Sequence, residues 1–575
     1  MLAAAFVLSG LVGLSIQQST PLPSVVVKNG TYHGLHQTTY NQDLFLGIPY
    51  AQPPVGNLRF QLAQALNTSW SQPRDAKVYS PECFGYGSDQ VGHNISEDCL
   101  ALNIVRPAGH EGELLPVGVW IHGGGFLMGG TSDQRYNLSF IVQKSVEMGK
   151  PIIGVSIAYR LSFWGFSDSE EVRKAGVTNL GLHDQRKALQ WIQENVGSFG
   201  GDSSKVTIWG QSAGAGSVGT HLIAYGGRDD GLFRGAICQS GNSILPLSPN
   251  YNVSDGQLAY NNIASIVGCR NTSDTLKCLR EVDTKTLNSA INATFRLFPP
   301  VRDGTLIQDS IYDQLQNGAF IKVPLISGTN TDEGTGFGPR GISSDTAFAH
   351  YLSSKSTKAS LNESILAALL AVYPNLPAAS DVLYNIPLNF TQFNTTPAVP
   401  APYNTPDTLS NTTYGSQWRR LVAFSGDFEF AGPRRLQCQS WSRHNVSAYC
   451  YRFNAVPSGY PPEIGSAHFD EVAFVFNNLD GLGYAINPFQ DQPQSYTDLS
   501  DLMTRMWVSF IHDGSPNQHG VLDYEEWPIY DIQQNGGVGK DYFFTSTPKS
   551  SIETDDWRIA GINYLNSLWK TVYGM

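Results

Sequence analysis

The stretch VTIWGQSAGAGSVGTHLIA, residues 206–224, carries the strongest fold signal in the chain. A β-branched run ends at Gly210, and small residues that can start a helix follow Ser212 at once. Gly210 and Gly214 lack the Cβ atoms that would collide on either side of a tight strand-to-helix turn. The pattern predicts that Ser212 lies at the tip of such a turn as a nucleophile. The alternative is an ordinary serine in a glycine-rich corner.

A second glycine cluster lies upstream, in VWIHGGGFLMGG, residues 119–130. An apolar strand-like run leads directly into it. Consecutive glycines let backbone N–H groups approach a developing oxyanion without obstruction from Cβ atoms. We therefore predict an oxyanion-binding loop here. The alternative is a plain glycine turn after a strand.

Apolar, β-branched runs recur along the chain and alternate with helix-like segments such as NLGLHDQRKALQWIQENVGSFG, residues 179–200. This alternation predicts an α/β fold with a mostly parallel central sheet covered by helices on both faces. Residues 345–374 have a helical pattern, and residues 389–413 are rich in Pro, Thr and Asn. We expect these two segments to form an insertion placed over the sheet.

The composition and net charge of the chain limit the kinds of partner that it can bind. The 575 residues carry a formal net charge of −12 with 41% hydrophobic and 15% charged residues, which is a globular composition. No basic stripe is present to neutralise phosphates, so nucleic acid is an unlikely partner. An acidic surface also disfavours docking on anionic membranes. The charge says nothing about oligomeric state.

The N-terminal residues predict secretion. Leu2 to Leu14 form an apolar run that is too short to span a bilayer but fits a signal-peptide core, although no Lys or Arg precedes it. We expect residues 1–18 to be a signal peptide and residues 19–575 to be one domain; the alternative is a buried N-terminal helix. The C-terminus is not an anchor tail. Many N-x-S/T sequons suit an N-glycosylated extracellular protein, at Asn29, Asn67, Asn94, Asn137, Asn252, Asn271, Asn292, Asn362, Asn389, Asn394, Asn411 and Asn445.

The seven cysteines are odd in number. Two pairs enclose short loops and are expected to form disulfides, Cys83 with Cys99 and Cys269 with Cys278. A weaker candidate pair is Cys438 with Cys450. Cys238 sits in an apolar strand-like run and is interpreted as a buried free thiol.

With these motifs together, the chain resembles the type B carboxylesterase/lipase family, which includes fungal lipases and animal cholinesterases. The resemblance covers nearly the whole mature chain, and the motifs occur in the family's order. They are GIPYAQPPVGNLRF, SEDCLALNIVRP, WIHGGGFLMGG, AYRLSFWGF, NLGLHDQRKALQWI, FGGDSSKVTIWGQSAGAGSV, QSGN, FPPVRDG, GTNTDEGTGF, GSAHFDEVAFVF and FIHDGSPN. The resemblance implies an α/β-hydrolase fold and hydrolysis of carboxylic esters through an acyl-enzyme intermediate. A small-molecule ester is then the expected partner, and no cofactor or metal is expected.

The resemblance also implies roles for individual residues. Ser212 matches the family's nucleophile, and Glu333 in the DEG motif matches its acid, with Asp332 as the alternative on the other strand face. His468 in GSAHFDE matches the base, in preference to the other downstream candidates His350, His444, His512 and His519.

Further roles follow from the same motifs. The oxyanion donors would be the backbone N–H groups of Gly124, Gly125 and Ala213. Ser240 in QSGN would support the acid–base pair from behind. Two ion pairs are expected to be structural, Arg59 with Glu97 and Arg160 with Asp184.

Three departures from the family pattern bear on substrate choice. Gln211 stands before the nucleophile, where cholinesterases carry Glu, which weakens any preference for cationic esters. The loop between Cys83 and Cys99 is short and contains no Trp, whereas cholinesterases place a choline-binding Trp there and fungal lipases form a long lid. Phe84 and Tyr86 could offer an aromatic wall, but packing is the simpler role. The sequence thus favours soluble neutral esters of short to medium chain length.

Two alternatives stay open at this point. One is a true triacylglycerol lipase or sterol esterase. The other belongs to a different class: a catalytically silent binding module, since the family includes adhesion proteins that lost the nucleophile.

Overall fold

The computed structural model describes residues 22–244, 253–294, 297–356, 361–375, 414–461 and 464–574. The expected signal peptide, residues 1–18, and the Pro/Thr/Asn-rich segment, residues 389–413, lie outside the described residues.

The strands of the described chain form three sheets. The central sheet has eleven strands in the order β16-β15-β14-β13-β12-β11-β9-β10-β8-β4-β3, and the small sheets have the orders β1-β2-β5 and β6-β7. The bounds are β1 Ser24–Val27, β2 Gly30–His33, β3 Leu35–Gln37, β4 Gln42–Pro49, β5 Arg74–Asp75, β6 Glu82–Cys83, β7 Ile95–Ser96, β8 Ala101–Pro107, β9 Leu115–Ile121, β10 Ile153–Ile157, β11 Gly201–Gln211, β12 Gly235–Gln239, β13 Leu325–Asn330, β14 Ala448–Phe453, β15 Lys540–Phe544 and β16 Ser551–Thr554.

Seven neighbouring strands of the central sheet pair in parallel, in the order β10, β9, β11, β12, β13, β14 and β15. Antiparallel strands close both edges, with β8, β4 and β3 on one side and β16 on the other. Because parallel strands align their carboxyl ends, the segments that follow β9, β11, β13 and β14 meet at one edge of the sheet. The glycine loop, Ser212, Glu333 and His468 follow these four strands in turn.

Helices surround the sheet. Their bounds are Leu138–Glu147, Ser162–Phe166, Glu170–Ala175, Leu180–Asn195, Ala213–Gly227, Val253–Ile266, Thr275–Glu281, Thr284–Ala293, Ile311–Asn317, Asp345–Ser354, Glu363–Val372, Trp418–Gly426, Gly432–Arg443, Glu471–Val475, Gln494–Asp513 and Ile559–Leu568. Short 3-10 turns lie at Gly56–Leu58, Ser88–Gln90, Gln134–Tyr136, Val196–Phe199, Glu333–Gly336 and Asn535–Gly537, and a π-helical turn lies at Asp427–Ala431.

Strand alternation supplies a core on each face of the sheet. In β9, Val119 and Ile121 contribute to one core, whereas Trp120 points into the other. In β11, Ile208 and Trp209 divide in the same way. Since both faces are buried, these strands consist of nearly continuous apolar residues, as expected for a parallel sheet. The α/β architecture with helices on both faces is confirmed.

The helical part of the expected insertion is present in the described chain. Helices Asp345–Ser354 and Glu363–Val372 lie beside helix Trp418–Gly426, where Phe348 and Phe424 place their ring centroids 6.1 Å apart. Helix Trp418–Gly426 in turn packs on the turn that carries Glu333, since a Cβ at Gly334 would lie 2.0 Å from Val422 O. The insertion therefore adjoins the edge of the sheet where the segments after β9, β11, β13 and β14 meet.

Three disulfides form, Cys83–Cys99, Cys269–Cys278 and Cys438–Cys450, and Cys238 is a buried free thiol. Both expected ion pairs are buried and bidentate: Arg59 donates to Glu97 at 2.6 and 2.7 Å, and Arg160 donates to Asp184 at 2.7 and 2.6 Å. Among the described helices, none is long and apolar enough to span a membrane.

Candidate active site

Ser212 lies on a strained turn between β11 and helix Ala213–Gly227, with φ 57° and ψ −125°. A Cβ at Gly210 would lie 2.5 Å from the carbonyl carbon of Gly214, and a Cβ at Gly214 would lie 2.0 Å from Ile121 O. No side chain fits at either position. The two glycines therefore permit the turn, which holds a non-glycine residue in a conformation that is costly elsewhere.

The glycine loop after β9 lies directly against this turn. A Cβ at Gly123 would lie 2.7 Å from Gln211 O and 3.0 Å from Ser212 Cβ. Gly124 and Gly125 take φ values of 99° and 65°. No acceptor for their N–H groups is found within the described residues, and Ala213, the first residue of its helix, has no intrahelical acceptor either. These three donors are thus free for an external anion.

His122 supports the same glycine loop through a hydrogen bond to its backbone. Its side chain is 1% exposed, its Nδ1 donates to Gly123 O at 2.9 Å, and its ring stacks on Tyr159 at 4.5 Å. Burial lowers the pKa of His122 to about 4, so the ring is neutral at ordinary pH. A neutral, buried imidazole in this position is a structural support for the loop.

A short hydrogen bond joins Glu333 and His468. His468 Nδ1 donates to Glu333 Oε2 at 2.6 Å, and Glu333 is 1% exposed. Glu333 Oε1 accepts the backbone N–H of Asn330 at 2.8 Å. Asp332 is directed elsewhere and accepts the backbone N–H of Ser466 at 2.8 Å. Because an ionised carboxylate only accepts, Nδ1 carries the proton and the lone pair of His468 is on Nε2.

The other imidazole nitrogen faces Gln211. Gln211 Nε2 lies 3.3 Å from His468 Nε2, so the amide donates weakly to the lone pair. In the described part of the chain no hydrogen bond joins Ser212 Oγ to His468. Catalytic hydrogen bonds are often long in unliganded enzymes and tighten when substrate binds. The arrangement leaves Nε2 available to accept a proton.

Two aromatic rings hold the imidazole in place. Phe430 lies 4.7 Å from the His468 ring at an interplanar angle of 35°, and Phe337 lies 4.9 Å away at 87°. Phe430 belongs to the π-helical turn Asp427–Ala431, a local distortion that is frequent at functional sites. Phe337 ends the GTNTDEGTGF motif, but neither ring was assigned a role from the sequence.

A buried polar network lies behind the acid–base pair. Asn330 Nδ2 donates to Glu471 Oε2 at 2.7 Å and to Ala467 O at 2.6 Å, while Gln239 Nε2 donates to Glu471 Oε1 at 3.2 Å. Burial, reinforced by the charge of Glu333, raises the pKa of Glu471 to about 7. Glu471 lies within the GSAHFDE motif, but only the His of that motif was assigned a role from the sequence.

Ser240 does not make the expected contact. Its backbone N–H donates to Gly328 O at 2.9 Å, but its Oγ is buried without a hydrogen-bond partner among the described residues. Asn330 and Glu471 occupy the supporting place that the QSGN motif suggested for Ser240. A supporting role for Ser240 stays a prediction.

The loop between Cys83 and Cys99 is fastened to the glycine loop. Tyr86 N–H donates to Leu127 O at 2.9 Å, and Gln90 Nε2 donates to Gly129 O at 3.0 Å. A Cβ at Gly87 would lie 2.1 Å from Met128 Sδ. This loop is therefore packed against the segment that follows the predicted oxyanion donors Gly124 and Gly125.

The aromatic residues of that loop are packed as well. Phe84 stacks on Trp164 at 5.2 Å, and Tyr86 Oη accepts from Trp164 Nε1 at 3.0 Å while it donates to Asn288 Oδ1 at 2.6 Å. The tryptophan beside this loop comes from helix Ser162–Phe166, not from the loop itself. Packing is the role that these contacts favour for Phe84 and Tyr86.

Comparison with known proteins decides the family. The family model described as the carboxylesterase family matches residues 21–546. The chain belongs to the carboxylesterase family. It is a carboxylic ester hydrolase, and the family expected from the motifs is confirmed.

Individual relatives are similar over most of their length. Lipase 2 of Geotrichum candidum is 32% identical, over 91% of both chains, and Secreted lipase 1 of Botryotinia fuckeliana is 32% identical, over 90% of this chain and 88% of its own. The solved structure of Aspergillus niger EstA has a TM-score of 0.78 and 28% identity, and the match covers 96% of this chain and 98% of that chain. These esterase neighbours confirm the α/β-hydrolase fold.

Proposed function

We propose that this carboxylesterase family member is a secreted serine esterase that hydrolyses neutral carboxylic esters of short to medium chain length. The observation that carries the proposal is the hydrogen bond between His468 and Glu333 at 2.6 Å, at the sheet edge where Ser212 and the glycine loop meet. A nucleophile, a base and an orienting acid are the three groups that acyl transfer through an acyl-enzyme needs.

In the proposed mechanism, Ser212 Oγ attacks the ester carbonyl and His468 Nε2 takes its proton. Glu333 keeps the proton on Nδ1, so that Nε2 is the acceptor, and stabilises the imidazolium that forms. His468 then donates the proton to the departing alcohol. Water hydrolyses the acyl-enzyme in the second half, with His468 again as base.

Charge on the carbonyl oxygen would be stabilised by the N–H groups of Gly124, Gly125 and Ala213. They come from two segments that touch through Gly123, so no rearrangement is needed to bring them together. Donors fixed in advance are the largest single contribution in many such enzymes.

The preference for neutral, soluble esters rests on two contacts. Gln211 places an uncharged amide on the Nε2 side of His468, so residue 211 offers no carboxylate that could attract a cationic alcohol group. The Cys83–Cys99 loop is short, polar and hydrogen-bonded to the glycine loop, so it is poorly suited to cover a large apolar trough and then open at an interface.

A second candidate is a triacylglycerol lipase or sterol esterase. It is favoured by the names of the fungal relatives, which are called lipases. The two candidates share the chemistry and differ only in how substrate is presented.

We also propose that residues 1–18 are removed as a signal peptide and that residues 19–575 form one N-glycosylated extracellular domain. Support comes from the three disulfides, which persist in oxidising compartments, and from the secreted relative.

The deciding experiment measures hydrolysis of p-nitrophenyl esters of increasing chain length and of emulsified triglyceride, with Ser212→Ala as the control for background. Saturation kinetics on soluble esters and weak activity on emulsion are expected. A sharp rise in rate as a partly soluble ester passes its solubility limit would instead assign the protein as a lipase. Failure of a fluorophosphonate probe to label the wild type would contradict the proposed role of Ser212 as the nucleophile.

A further inference from the structure

Phe469, the residue directly after His468, has an unusual backbone conformation. Its φ is +83°, in a region that favours glycine and that is an outlier for a bulky aromatic side chain. Such strain persists only where surrounding contacts hold it, and it clusters at functional sites. The contacts that hold Phe469 therefore bear on the position of the imidazole next to it.

The Phe469 ring is held by a cation. Arg135 Cζ lies 4.9 Å from the ring centroid, within the range of a cation–π interaction. Arg135 lies in the 3-10 turn Gln134–Tyr136, which follows the glycine loop along the chain. The guanidinium thus reaches from the oxyanion side of the site to the turn that carries the base.

Arg135 is itself fixed by two carboxylates. Its Nε donates to Asp133 Oδ2 at 2.8 Å, and its Nη2 lies 3.0 Å from Asp89 Oδ1 in the Cys83–Cys99 loop. A Cβ at Gly483 would lie 2.7 Å from the backbone N of Arg135, so a neighbouring segment packs against the backbone of this residue. The guanidinium is therefore fixed between two anions and one ring.

We propose that Arg135 is a positioning residue for catalysis that acts through Phe469 to hold the His468 imidazole in line with Ser212. In this arrangement the Cys83–Cys99 loop contributes through Asp89 to the placement of the base. The inference rests on the proposed role of His468.

The test compares Arg135→Met, Arg135→Lys and a matched control, Arg228→Met. Arg228 makes the same kinds of contact, with a ring (Tyr225, 4.2 Å) and with a carboxylate two residues away (Asp230, 2.8 Å). It follows helix Ala213–Gly227, whose regular part, residues 213–223, is roughly 16 Å long at 1.5 Å per residue and separates it from Ser212.

Arg135→Met is expected to lower kcat by about tenfold with KM unchanged, and to slow labelling by a fluorophosphonate probe by a similar factor, since both report the Ser212–His468 geometry. Arg135→Lys keeps the cation and should recover part of the loss. Arg228→Met should match the wild type. An unchanged kcat and labelling rate in Arg135→Met, or an equal loss in Arg228→Met, would overturn the proposal.

A second pair of variants distinguishes the effect of backbone strain at Phe469 from the effect of its ring contact with Arg135. This test can be carried out even if Arg135→Met folds poorly. Phe469→Gly removes the ring and relieves the positive φ, whereas Phe469→Ala removes the ring and keeps the strain. Both should lose kcat to the same extent, with the glycine variant unfolding at the higher temperature. Wild-type kcat in a folded Phe469→Gly would contradict the inference. An active His468→Ala would instead contradict the proposed function.

Discussion

In the proposed mechanism the site has a nucleophile side and an acid–base side, and the two are built in opposite ways. The nucleophile side consists of backbone: a strained turn at Ser212 and the glycine loop, packed so closely that a Cβ at Gly214 would lie 2.0 Å from a carbonyl oxygen. The acid–base side consists of buried polar side chains, in which Glu333, Asn330 and Glu471 share hydrogen bonds around His468. The first side should therefore be sensitive to added volume, and the second to charge and pH.

The largest effects should come from the groups that join the two sides. Ser212→Ala and His468→Ala are each expected to lower kcat on the order of 10³-fold or more, and Glu333→Gln by less. Because the groups act as a unit, the double variant Ser212→Ala/His468→Ala should lose little more than either single one. Steady-state kinetics with a soluble ester measures kcat for each variant. Near-wild-type turnover in Ser212→Ala would contradict the proposed catalytic roles of all three residues.

The next largest effect should come from side-chain volume added at the glycines of the nucleophile side, and it should appear as a loss of stability. Gly214→Ala is expected to destabilise the protein by about 3 kcal/mol or to prevent folding, because a methyl group would meet the Ile121 carbonyl. Gly125→Ala is the control: its φ is also positive, at 65°, but its Cβ would meet nothing within 4 Å, so the cost should be about 1 kcal/mol. Denaturant unfolding compares the two, and equal costs would show that close packing does not hold this turn.

Charge should matter on the acid–base side through Glu471. Its pKa is raised in the fold to about 7, so the protonated carboxyl is favoured there. The resulting stability is complete below the unfolded pKa of about 4.5 and is lost as pH rises towards 7, by about 2–3 kcal/mol. Glu471→Gln removes the titrating carboxyl group and should flatten the pH dependence of unfolding in this window. If the free energy of unfolding of the variant changed with pH as steeply as that of the wild type, a group other than Glu471 would be responsible.

The smallest effect concerns substrate charge. Gln211→Glu would place a carboxylate beside His468 and should raise kcat/KM for a cationic ester several-fold relative to its uncharged isostere. Competition between an acylcholine and the matching neutral ester measures the ratio. Equal changes for both esters would mean that the alcohol group binds away from Gln211.

The same contrast explains what the sequence could predict. The Ser212 turn and the glycine loop are local, contiguous patterns whose steric requirements appear directly as glycines, so both could be recognised from the sequence. Glu333 and His468 are 135 residues apart, and only resemblance to a family paired them.

The supporting contacts were not predictable in this way. Asn330, Phe430 and Arg135 act through long-range side-chain contacts, and no local spacing marks such contacts. Ser240 shows the converse, because its motif suggested a supporting role and its buried hydroxyl has no hydrogen-bond partner among the described residues. Long-range polar networks depend on the final packing of several segments, which one sequence does not reveal.

Cys238 gives the molecule an internal reporter. It stands opposite Gly210 in the pairing of β11 with β12, directly under the nucleophile turn, and burial raises the pKa of its thiol. All the other cysteines are in disulfides. A thiol-specific dye added without reductant can therefore react only when the centre of the sheet opens. The rate of that reaction distinguishes a folded variant without catalytic activity from an unfolded one, and no cysteine has to be introduced for it.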